Sequence, residues 1–138
     1  MGDLPILPPD LVPGTDATLA PWWDATRSRR LVVQRCSACG QAQHYPRASC
    51  SHCGAGPDSL SFVDAAGTGT VESFTVVHRS PHPGFDVPYV VGLVRLVEGP
   101  VMLTRLVGDE NWECDRAVSV EWWAVGDGRH LPVFRGVN

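Results

Sequence analysis

The chain has 138 residues, enough for one domain with a small appended module and for one substantial core. Apolar residues make up 43% and charged residues 19%, which excludes a disordered or coiled-coil chain. All 11 basic residues are Arg against 15 acidic ones, for a net charge of −4; the absence of Lys excludes Schiff-base chemistry and a P-loop, and the acidic balance argues against nonspecific nucleic-acid binding.

The chain opens on an arm, Met1 to about Pro21, that carries Pro5, Pro8, Pro9, Pro13 and Pro21 and shows no period. Leu4, Ile6, Leu7, Leu11 and Val12 give it apolar side chains that can lie on its own domain or on a partner. It lacks the basic start of a secretory signal, and no apolar run reaches the length of a membrane helix. The expected compartment is therefore the reducing cytoplasm. Pro21 to Arg30 predicts a short helix, with Pro in its first turn and Arg27, Arg29 and Arg30 near its end. A helix this short is marginal alone. Trp22 and Trp23 must therefore bury, against the chain's own core or a partner surface.

The next stretch holds four of the five Cys residues, as Cys36-Ser37-Ala38-Cys39-Gly40 and Cys50-Ser51-His52-Cys53-Gly54. Two residues between thiols let both sulfurs turn onto one ion, and the Gly after each pair can take a positive φ. Two such knuckles supply four thiolates in a tetrahedron, the closed set of a structural metal with no position left for water or substrate. Zinc is the expected ion, one per chain; iron in a four-thiolate site remains open. Disulfides would need an oxidising compartment, and a redox C-x-x-C would need a βαβ unit. His44 and His52 are not needed as ligands. Cys114 has acidic neighbours and no nearby base, so it reads as a packed or surface residue.

From Ser59 onward, Val-rich runs alternate with turn signals, predicting strands at Ser61–Asp64, Thr70–His78, Tyr89–Val97, Val101–Val107, Val118–Val125 and Leu131–Arg135. Five or six short strands with almost no helical period predict a mostly β chain closing on a small barrel or sandwich. Trp122 and Trp123 are adjacent and so face opposite sides of a strand. Alternation is poor throughout, which predicts that both sheet faces are covered. The resulting division is 1–30 arm and helix, 31–58 metal ribbon, and 59–138 barrel.

Several segments together resemble the acyl-CoA-associated zinc-ribbon/OB-fold family, long carried as a domain of unknown function. They are Pro21-Trp22-Trp23, Leu31-Val32-Val33-Gln34-Arg35-Cys36, Tyr45-Pro46-Arg47, Gly67-Thr68-Gly69-Thr70-Val71, Ser73-Phe74-Thr75-Val76-Val77-His78-Arg79, Pro83-Gly84-Phe85, Pro88-Tyr89-Val90-Val91-Gly92-Leu93-Val94 and Leu131-Pro132-Val133-Phe134-Arg135. The resemblance covers roughly residues 20–136. It implies an N-terminal helix, a rubredoxin-like zinc ribbon on Cys36, Cys39, Cys50 and Cys53, and a five-stranded OB-fold barrel. It also implies a non-catalytic subunit that stabilises a thiolase-superfamily or hydratase partner and helps form its acyl-CoA channel, in steroid side-chain or other lipid degradation. Ser51 departs from the Pro that commonly follows the third Cys. Arg116-Ala117-Val118-Ser119-Val120 replaces the usual turn before a late strand.

On that reading His78, Arg79, Phe85 and Arg47 are the residues expected to meet a CoA thioester or the partner. Arg79 would pair with phosphate and Phe85 would fill an apolar pocket. Trp22 and Trp23 are expected interface anchors. Two other classes stay open. One is a stand-alone OB-fold module binding nucleic acid on aromatics and an Arg patch of Arg47, Arg79, Arg95 and Arg105. The other is a small enzyme using His78, although no acid–base pair or nucleophile elbow is evident.

Overall fold

A computed structural model describes residues 4–108 and 111–137. The turn at Gly108–Asn111 thus lies partly outside the described residues, as do the first three residues of the arm.

Helix α1 (Ala20–Arg27) carries Pro21 in its first turn, where the missing N–H costs nothing. The carboxylate of Asp16 accepts the Leu19 N–H at 2.9 Å just ahead of it. The helix ends earlier than the sequence suggests. Arg29 adopts φ 53, a left-handed conformation that stops it, and the Arg30 N–H folds back to the Ala25 carbonyl.

Strands β1 (Val32–Cys36), β2 (Ala42–Gln43) and β3 (Leu60–Asp64) form an antiparallel sheet in the order β2-β1-β3. Strand β3 is the first of the six Val-rich runs, and it pairs with β1 from Val32↔Asp64 to Cys36↔Leu60. It belongs to the ribbon's sheet and not to the barrel. Alternation alone carries no information about which strand lies alongside.

The remaining five runs are β4 (Thr68–Val77), β5 (Tyr89–Leu96), β6 (Val101–Val107), β7 (Ala117–Ala124) and β8 (His130–Gly136). They close a barrel in the order β4-β5-β6-β8-β7, with β6 and β8 parallel and the other pairs antiparallel. This is the five-stranded Greek-key barrel of an OB-fold.

Two apolar clusters hold the molecule together. The larger fills the barrel with Val71, Val94, Leu96, Met102, Leu106, Val118 and Phe134. It continues through Leu31, Val32 and Val33 of the ribbon to Trp22 and Trp23 of the helix. Helix, ribbon and barrel therefore share one core. The smaller lies outside the barrel on β6, β7 and β8, where Val107, Trp123, Val125 and Val133 are covered by Leu7, with Leu4, Leu11 and Phe85 packed around them. The proline-rich arm is thus a strap across the outer face. Trp122 packs on the barrel core and Trp123 on the strap cluster, as their adjacency requires. Coverage of both faces explains the poor alternation of the late strands.

Candidate functional site

The two cysteine knuckles repeat one geometry. In each, the Gly N–H bonds back to the first Cys carbonyl, Gly40 to Cys36 at 2.7 Å and Gly54 to Cys50 at 2.9 Å. In each, the first Cys N–H is held by a carbonyl five residues on, that of Gln41 or Ala55. Gly40 and Gly54 both sit at φ 79, where a Cβ would be strained. The sulfurs face one another: Cys36 to Cys53 at 3.7 Å, Cys39 to Cys50 at 3.6 Å, and all four within 4.8 Å. These separations exceed a disulfide bond of about 2.05 Å. They match the edge of roughly 3.8 Å of a tetrahedron with metal–sulfur bonds near 2.3 Å. The four cysteines are positioned for metal binding, and neither His44 nor His52 belongs to the cluster.

The thiols are not equivalent. The Cys53 amide, helped by that of His52 and by neighbouring thiols, lowers Cys50 to about 6. The Gln41 amide pulls Cys39 down, but burial and the thiols of Cys50, Cys53 and Cys36 outweigh it and raise Cys39 to about 11. One thiol thus gives up its proton readily, and its thiolate is stabilised by its neighbours.

A buried amide pair docks the second knuckle. Gln43 Nε2 donates to Gln34 Oε1 at 2.7 Å across β1 and β2. Gln34 also accepts the Arg47 N–H and donates to the Arg47 carbonyl. Gln43 Oε1 accepts from the Ser51 N–H at 2.8 Å and from its hydroxyl. Ser51, the departure from the family pattern, therefore has a role. Both amides are 5% exposed, so each bond replaces water that has been excluded.

A cavity of about 760 Å³ opens where the barrel end, the arm and the 80–88 loop meet, with Phe74, Val76, Phe85, Tyr89, Arg105 and Trp123 among its walls. The Arg105 guanidinium lies 4.2 Å from the Tyr89 ring centroid, 4.9 Å from that of Trp123 and 5.6 Å from that of Phe85. Burial lowers its pKa, against the pull of Tyr89 and Asp86. Its charge therefore rests on aromatic faces more than on water. The loop is tied to the arm: His82 Nε2 lies 2.8 Å from Asp10 Oδ2, and the Gly84 N–H donates to His82 Nδ1. A second, more apolar cavity of about 380 Å³ lies between α1, His44, Tyr45 and the barrel.

Of the residues named from sequence, Phe85 lines the larger cavity. His78 and Arg79 are exposed just past the end of β4 and are not among its lining residues. Arg47 is exposed in the ribbon, where its backbone is held by Gln34. Trp22 and Trp23 are 6% and 8% exposed within this chain, so most of their surface is committed to its own core. The four arginines do not form one patch. Arg95 pairs with Glu72 at 2.6 Å and Arg105 is stacked on rings. The sequence reading missed the cavity because Arg105 and Tyr89 lie on different strands.

A four-thiol ribbon and an OB barrel sharing one core define a zinc-ribbon/OB-fold protein. Residues 23–58 match the family model described as the rubredoxin-like zinc ribbon domain of ChsH2, and residues 62–122 match its C-terminal OB-fold domain. The chain belongs to this family, also known as DUF35. It is 45% identical over 116 residues to a probable enoyl-CoA hydratase alpha subunit of Thermomonospora curvata, covering 83% of this chain and 36% of that protein. It is 36% identical over 104 residues to the 3-oxo-4,17-pregnadiene-20-carboxyl-CoA hydratase alpha subunit of Mycobacterium tuberculosis, covering 74% and 32%. The chain thus spans about a third of the length of these two relatives. A DUF35 domain-containing scaffold protein of Pyrococcus furiosus is 32% identical, covering 78% of this chain and 79% of that protein. Among solved structures, the Ltp2-ChsH2(DUF35) aldolase matches with a TM-score of 0.81 and 43% identity, over 90% of this chain and 98% of that one. A DUF35 protein of Sulfolobus solfataricus shares the fold, with a TM-score of 0.64 at 16% identity.

Proposed function

We propose that this chain is an accessory subunit of an acyl-CoA-processing enzyme, pairing with a thiolase-like chain in lipid degradation and contributing no catalytic residue itself. The observation that carries the reading is the match, at 43% identity and a TM-score of 0.81, over 98% of a chain of the Ltp2-ChsH2(DUF35) aldolase. The internal chemistry agrees. A closed set of four thiolates leaves no ligand position for substrate, so the metal serves folding, and zinc suits the set. Reduced thiolates suit a cytoplasmic location. The large cavity, walled by aromatics and Arg105, is suited to an apolar chain beside an anionic group, and Phe85 is the sequence-named residue that reaches it. The CoA thioester would be shared with the partner there, and Arg79 and His78 on the adjoining loop are the groups nearest in sequence to meet its phosphates.

Hydratase partnership is the second reading, favoured by the 45% identity to a hydratase alpha subunit. The test is tagged purification from the native host, with mass spectrometry of co-purifying chains and a thioester-cleavage assay on each fraction. A thiolase-like chain in near-equal amount, with activity only in the complex, is the expected result. A hydratase-like chain selects the second reading. Recovery of the chain alone, monomeric and turning over a thioester, contradicts both.

A further inference from the structure

Strand β4 is paired along its whole length on one side only. Strand β5 accompanies it from Gly69 to Val77. On the other side β7 accompanies it only from Thr68 to Thr70, and the last backbone bonds there join Val71 to Arg116 and Asp115. Between Val71 and Ser73 the register shifts by a β-bulge, which turns the strand away from β7. From there, Ser73 to Val77 form an edge with no strand alongside among the described residues.

Apart from that bulge, the edge carries few of the usual protections. Residues 72–76 are all exposed, with Phe74 at 37% and Val76 at 41%. No Pro, Lys or Arg interrupts Ser73-Phe74-Thr75-Val76-Val77. An exposed, uncharged edge that carries apolar side chains is what native proteins otherwise avoid, because it templates strand addition. Its two faces differ. Phe74 and Val76 line the large cavity, while Ser73 and Thr75 face away. Its ends also differ in charge. Glu113 and Asp115 stand exposed near Val71, and Arg79 is exposed beyond Val77; none of the three makes an ion pair among the described residues.

We propose that the β4 edge at 73–77 receives an extended segment of the partner enzyme subunit as an added strand. That strand alternates apolar side chains toward the cavity with polar ones away from it. It carries an acidic group at the Arg79 end and a basic group at the Glu113–Asp115 end. Main-chain bonds along the edge supply affinity, and Phe74 and Val76 with the cavity select the alternate apolar residues. The added strand would close the cavity on its open side, so that ligand enclosure requires both chains. This rests on the accessory-subunit reading above.

The test uses the purified complex with the co-purifying thiolase-like chain, and the free chain as reference. Hydrogen–deuterium exchange at those amides of 73–77 that point away from β5 should be fast in the free chain and at least about tenfold slower in the complex. Phe74→Lys should weaken the complex about tenfold or more, with the melting temperature of the free chain unchanged within a degree or two. If that variant does not fold, Thr75→Lys on the opposite face of the same edge takes its place. A stable complex in which those outward amides exchange as fast as in the free chain overturns the inference and leaves the accessory-subunit reading intact. Protection already present in the free chain, together with a dimer in sizing experiments, assigns the edge to a second copy and overturns it as well. Failure to form any complex with a thiolase-like chain removes both.

Discussion

The indole Nε1 of Trp123 donates a 2.6 Å hydrogen bond to the carbonyl of Pro5, 118 residues earlier in the chain. It fastens the arm over the outer face of β6, β7 and β8. Arg129 repeats the device further along, donating to the Pro13 carbonyl at 2.7 Å. Trp123→Phe keeps an aromatic ring but removes the donor and part of the buried indole. The expected loss is at least about 1 kcal/mol of unfolding free energy, from the hydrogen bond and the lost indole volume together, with faster proteolysis within residues 4–13. Urea denaturation and a protease time course read the two effects; an unchanged cleavage rate would mean that the apolar cluster alone holds the arm.

Gln34 and Gln43 carry the second knuckle. Gln43→Leu leaves one lone pair of the buried Gln34 without its donor and frees the partly buried Ser51 N–H, at a cost of roughly 1–3 kcal/mol. The fold of the barrel should survive, because its core lies elsewhere. Competition with a chromogenic chelator should show metal lost at a lower chelator concentration than in the unaltered chain. Equal retention would show that the thiolates position themselves.

Removing the metal tests the ribbon directly. Cys50→Ser, or excess chelator, should melt β1–β3 and the knuckles, because four converging thiols have little else to hold them once the ion is gone. Since β1 feeds Val32 and Val33 into the shared core, the barrel should also lose stability. Separate far-ultraviolet and tryptophan-fluorescence melts would detect this. A metal content of one ion per chain by mass spectrometry is expected, with zinc as the element.

His44 gives a pH dependence. Burial lowers its pKa from 6.5 to about 4. The unfolded chain then binds more protons than the folded one between those values. Stability is full above pH 6.5 and falls as the pH drops toward 4, by up to about 3 kcal/mol. His44→Phe should flatten that part of the profile between pH 6.5 and 4. A slope that persists unchanged would assign the acid sensitivity to other groups.

Much of the molecule was legible because its signals are local. The knuckles are written in spacing, since two residues between cysteines and a following Gly define the turn without help from the rest of the chain. The five barrel strands lie within two residues of the ends expected for them, because Gly and Pro punctuate them. The pairing of β3 was not legible, since Leu60–Asp64 has the same alternation whether it joins the ribbon or the barrel. The same holds for Phe74 and Val76. Period-2 counting puts the two on one face, but the bulge between Val71 and Ser73 decides which face, and the early departure of β7 from β4 leaves them exposed.

The sequence by itself determined the four-thiol centre, the mostly β architecture and the opposite facing of Trp122 and Trp123. These follow from backbone geometry over a few residues. The tertiary structure alone decided that the arm is a strap, that the Trp22–Trp23 pair belongs to the shared core, and that Arg105 meets Phe85, Tyr89 and Trp123 around one cavity. Each of these depends on which distant segments bury against each other. That choice minimises exposed apolar surface over the whole chain, and no local window of residues contains it.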